Sequence, residues 1–141
     1  MMHQILPTQE RVAKTKPNSS TACPVPGCGD GMENLAHALV QCQGNNGVGN
    51  KVMECIREFV PNLEVESALR LELDVEEEME LPLVWMIATA FLAIWSLRIV
   101  KAKVQLYDIR AQLEAKINLL RETRHANSAQ MLDQLVAKYL Q

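Results

Sequence analysis

The chain has 141 residues, enough for one domain or one small domain with an appendage. Apolar residues make up 48% and aromatics only 4%, so Leu, Val, Met and Ala must fill any core. A net charge of −3 excludes an overall field that would gather nucleic acid or an anionic membrane.

The charge is unevenly placed. Residues 61–80 carry one basic and eight acidic side chains, and residues 81–141 carry eight basic and four acidic. The expected organisation is an extended arm (1–22), a zinc-binding knuckle with short helices (23–60), an acidic linker (61–80) and a helical hairpin (81–141). The arm is polar and turn-rich. The stretch CPVPGCGDG at 23–31 must form tight loop, after which Asp30 caps a first helix with Glu33 as its capping-box partner. Gly44 stops that helix, and GNNGVG at 44–49 is a flexible turn. Asn50 caps a second helix reaching Val60 and closed by Pro61.

Beyond it, Leu69, Leu71, Leu73 and Val75 alternate with charged residues, a strand period that equally suits an extended linker. Pro82 suits the first turn of a third helix, and nothing breaks that helix before about Thr123. Its first part, 81–97, is apolar all round. Its second part carries Leu106, Ile109, Leu113, Ile117 and Leu120 at helical steps. A last helix, about 128–140, presents Leu132, Leu135, Val136 and Tyr139. The fold class is therefore mainly α: a small CCHC zinc knuckle, then a long helix and a C-terminal helix forming a hairpin.

The chemistry concentrates in Cys23-x4-Cys28-x8-His37-x4-Cys42. Residues 1–10 lack a secretory signal pattern, which points to a reducing, intracellular compartment, cytoplasm or nucleus. There, clustered cysteines act as metal ligands rather than disulfides. The short gaps fall within structural zinc spacings, so one structural zinc is expected on Cys23, Cys28, His37 and Cys42. His37 and Cys42 are five residues apart, about 140° around an ideal helix. They can share a metal only if the last turn distorts, which Gly44 permits. Three thiolates and a neutral imidazole leave the site at about −1, which Arg11, Lys14 or Lys16 can offset. Cys55 falls outside the pattern and reads as a core thiol, while His3 and His125 read as exposed.

The remaining candidates carry less. Glu76, Glu77, Glu78 and Glu80 are consecutive charges on a solvated face, favoured by the positive end of the following helix. The uncharged run 81–97, with Trp85 and Trp95 near its ends, has the outline of a membrane span. At about 25 Å it falls short of a hydrocarbon core of about 30 Å, so a buried or self-associating helix is preferred. Basic side chains from Arg98 to Arg124 suit a solvated surface or phosphate contacts, with no aromatic interleaving for base stacking.

Taken together, ILPTQERVAKT, CPVPGCGDGMENLAHALVQC, LPLVWMIATAFLAIWSLR and VQLYDIRAQLEAKINLLRETR resemble the C-terminal tail of animal LINE-type (non-LTR) retrotransposon polyproteins. The resemblance covers nearly the whole chain, and the zinc pattern is its specific part. In that family a Cys-Cys-His-Cys region follows the reverse transcriptase and helps it hold RNA or target DNA. The resemblance thus implies Cys23, Cys28, His37 and Cys42 as metal ligands and RNA or DNA as partner. The four residues between the first two cysteines depart from the family's usual two. No paired-Asp polymerase motif or endonuclease constellation is present, so a truncated copy, fragment or domesticated remnant is expected, and no enzyme. The functional expectation is a non-catalytic, zinc-stabilised nucleic-acid-binding module. The alternatives are a helical interaction or oligomerisation module, self-associating through 81–141, and a small membrane-anchored protein.

Overall fold

A computed structural model describes residue 28 and residues 34–100 and 102–141. Among these, every regular element is helical. A π turn (His37–Gln41) and a 3-10 turn (Gln43–Asn45) precede α1 (Val48–Arg57), α2 (Val65–Leu69), α3 (Glu77–Ile99), α4 (Leu106–Arg121) and α5 (Ala126–Tyr139). The mainly α class, with a cysteine–histidine cluster ahead of the helices, is what the structure shows.

Periodicity explains the bundle. The three- and four-residue steps on α4 bury Ile109, Leu113, Ile117 and Leu120, and those on α5 bury Ala129, Leu132, Leu135 and Val136. Both stripes face α3, and the three helices pack pairwise. The short connections 100–105 and 122–125 make successive helices antiparallel. Each fully buried Leu or Ile stabilises this core by about 1.5–3 kcal/mol. Helix α3 is the one described helix long and apolar enough to cross a membrane. Here it buries Leu83, Met86, Ile87, Ala90, Phe91 and Ile94 inside the protein. Helix α1 lies against α3 and α5, and the π turn rests on α1 and α3. The buried residues from Leu35 to Leu140 form one cluster.

Several elements depart from the sequence-based expectation. The uninterrupted helix from 81 to 123 is two helices, because residues 102–105 lie outside helical geometry. No Gly or Pro marks that break. It is made by tertiary contacts: Val104 is buried, and its carbonyl accepts a 2.8 Å hydrogen bond from Asn46 Nδ2. Helix α3 begins at Glu77, so Pro82 lies in its second turn rather than its first. The bond lost there would have ended on the carbonyl of Glu78, an exposed residue that water can serve. The alternating stretch forms no strand: Val65–Leu69 is helical, Leu71 takes φ 60°, and 72–76 has no regular structure, with Leu73 and Val75 packed on the core. Helix α1 starts at Val48, inside the stretch read as flexible turn and ahead of the expected Asn50 cap. Asn46 and Gly47 make the turn before it, both in the left-handed region at φ 51° and 73°.

Candidate metal centre

Cys28, His37 and Cys42 come together at the N-terminal side of the bundle. One donor atom from each lies within 4.8 Å of the others, close enough to hold a metal ion. His37 and Cys42 are buried, and Cys28 is half-buried. The sequence-predicted Cys23, the Asp30 cap, Glu33, His3 and the charge-offsetting Arg11, Lys14 and Lys16 lie outside the described residues.

The π turn is what aligns the last two donors. On an α-helix, five residues overshoot one turn by about 140°. Here the Cys42 N–H donates to the His37 carbonyl at 2.8 Å, an i→i+5 bond that widens the turn. Residues 37 and 42 therefore stand on the same side, and Cys42 leaves the turn in extended geometry at ψ 132°. The expected distortion is thus present, placed directly between the two candidate donors rather than at Gly44.

Widening a helix strands backbone groups, and the local sequence satisfies them. The His37 N–H donates to Asn34 Oδ1 at 2.8 Å, a side-chain cap at the start of the segment. The Ala38 carbonyl loses its usual partner because the Cys42 N–H has gone to His37. Asn45, fully buried, supplies Nδ2 to that carbonyl at 2.6 Å. Arg98 Nη1 then donates to Asn45 Oδ1 at 3.3 Å, tying the knuckle to the end of α3. Gly49 completes the support. A Cβ there would collide with the Leu39 carbonyl oxygen and lie 2.9 Å from Val40 Cα, so only glycine lets α1 cross the π turn this closely.

Cys55 plays no part in the cluster. It is buried on α1, and its thiol is pushed up to about 12, first by desolvation and then by Glu58, with Lys138 opposing. A protonated thiol is a poor ligand and a poor nucleophile. The carboxylates of the acidic stretch form no second metal-type group among the described residues. His125 is exposed at the start of α5. The sequence reading missed Asn34, Asn45 and Gly49. Asn34 stands three residues before His37, a capping interval; the other two carry no signal short of the tertiary packing. No family model, curated protein or solved structure matches this chain.

Proposed function

We propose that the chain is a non-catalytic, zinc-stabilised nucleic-acid-binding module of retrotransposon origin. The supporting observation is the donor set gathered by the π turn. Zinc–sulfur and zinc–nitrogen bonds of about 2.3 and 2.0 Å at a tetrahedral angle hold the two donors roughly 3.5 Å apart. Cys28 Sγ and His37 Nε2 are separated by 3.5 Å. Two thiols with an imidazole suit zinc and disfavour calcium or magnesium, which take oxygen ligands. In this reading Cys23 is the fourth ligand. A closed set of four protein ligands leaves no position for substrate, so the metal's work is to fix the knuckle. Thiolate ligands also fit the reducing cytoplasm or nucleus.

The resemblance to LINE-type polyprotein tails carries the nucleic-acid half of the proposal. Phosphate contacts would fall on the knuckle or on 81–141, since the acidic stretch 61–80 repels phosphate. Fluorescence anisotropy with single-stranded RNA and duplex DNA tests this. Binding that weakens steeply with salt and is lost in Cys28→Ser is expected; no binding of either at low salt by the zinc-loaded protein would overturn it.

A second reading, a helical interaction module whose metal only pins the N-terminal end, is favoured by one observation. Leu92, Val100 and Leu119 stand exposed along the groove between α3 and α4.

A further inference from the structure

The core consumes the apolar stripe on α4. Leu113 is fully buried among α3 and α5 neighbours, so it faces no second chain. A different face is left over. Between α3 and α4 runs an open groove of about 800 Å³. Along its α3 wall, Leu92, Ser96 and Val100 recur at four-residue steps, and along its α4 wall Asp108, Gln112 and Lys116 do the same. Leu92 is 46% exposed, Leu119 52% and Val100 70%, which is unusual for large apolar side chains sharing one face. Ala93, Ala111 and Ala115 line the groove as well, and small side chains there let another helix approach closely.

The charges on this face complement themselves. Because α3 and α4 are antiparallel, Val100 and Asp108 mark one end of the groove, and Thr89, Lys116 and Leu119 the other. Lys116 is anchored at its end, with Nζ 4.0 Å above the Trp85 ring. Asp108 and Lys116 each lie four residues from Gln112, one toward either end. A two-fold axis through the groove near Gln112 exchanges the ends. It sets Asp108 of each copy against Lys116 of the other, and Leu92 of each against Val100 of the other. An isologous dimer needs such a patch, one that is its own complement.

We infer that the α3–α4 groove is the contact face of a two-fold symmetric homodimer of this chain. The inference rests on the interaction-module reading and is independent of nucleic-acid binding. From residue 89 to residue 100 the face rises about 17 Å, and two helices abreast span roughly 20 Å. That is roughly 340 Å² per copy in projection, less than half of the about 800 Å² per partner in a standard interface, so the dimer is weak and dissociates on dilution.

The test is sedimentation velocity on the full zinc-loaded chain across micromolar concentrations. It compares the wild type, Asp108→Lys, Lys116→Asp and an equimolar mixture of those two variants, with a thermal melt of each. The expected result is a concentration-dependent dimer for the wild type and a weakening of at least tenfold in each single variant. Dimerisation returns in the mixture, because a copy of one variant facing a copy of the other again sets opposite charges together on both sides of the axis. Equal dimerisation by all samples would overturn the inference and place the interface elsewhere. A wild type monomeric at every concentration would overturn it too, and Leu92→Lys then separates two cases. An unchanged melting temperature leaves the groove open to some other partner, so the interaction-module reading survives. A lowered one shows the groove filled within the chain, and that reading falls with it.

Discussion

Gly49→Ala separates local from tertiary control of this fold. Gly49 lies in the first turn of α1, where helix propensity alone favours alanine over glycine by up to about 1 kcal/mol. Read as sequence, the substitution stabilises. The structure reverses the sign: the new Cβ meets the Leu39 carbonyl oxygen and Val40 Cα. These are backbone atoms of the π turn, with no flexible side chain to swing aside. Overpacking costs about 1–3 kcal/mol, and a rigid neighbour places this case at the upper end. The net effect is a loss of about 2 kcal/mol, or roughly 8 °C in melting temperature for a domain of this size. Because α1 buttresses the turn carrying His37 and Cys42, metal affinity should fall as well. Circular-dichroism melts with and without a chelator read both effects. An unchanged or raised melting temperature would refute the close crossing of α1 over the π turn.

Three further outcomes follow from the same contacts. Asn45→Ala leaves the buried Ala38 carbonyl without its donor and should cost about 1–3 kcal/mol in a denaturant titration, whereas a solvated asparagine would cost almost nothing. Leu113→Asp places a charge in the core and should abolish cooperative unfolding; a well-folded variant of smaller mass would instead mean that Leu113 faces a second chain. Burial raises the Cys55 thiol from 9.0 to about 12, so the folded chain keeps a proton that the unfolded chain releases. Its stabilising contribution is complete below pH 9 and shrinks by about 1.4 kcal/mol per pH unit as pH rises toward 12. Subtracting denaturation curves of Cys55→Ala from those of the wild type isolates that slope, and equal slopes would contradict the burial.

What the sequence made legible is what repeats or what is chemically rare. The stripes Ile109–Leu113–Ile117 and Leu132–Val136 declare their helices and their buried faces, because a period near 3.6 has one physical cause. Three cysteines and a histidine within twenty residues, the first two in tight loop, mark a candidate donor set before any geometry is known, and the structure brings Cys28, His37 and Cys42 of it together. Helix α3 is legible as a helix but not in orientation: apolar all round, it has no sequence-encoded face, and only its neighbours decide that Phe91 goes in while Leu92 stays out. The break near Val100 is silent for a related reason. It depends on burial of Val104 and on a bond from Asn46, residues far apart in the chain. The alternation from Leu69 to Val75 misleads because a strand needs a partner edge, and none is supplied among the described residues. The π turn was legible only as a necessity, since two donors five residues apart cannot share a metal on a regular helix. The residues that make it possible, Asn34, Asn45 and Gly49, emerge from the packing.

The most direct measurement is the metal content of the purified chain together with its native mass, for the wild type and for Cys28→Ser. One zinc per chain in the wild type, lost in the variant along with ordered structure around the π turn, is the expected result, because site formation and local folding are coupled. A metal-free wild type with all four thiols free, or a variant that keeps its zinc, would contradict the metal centre.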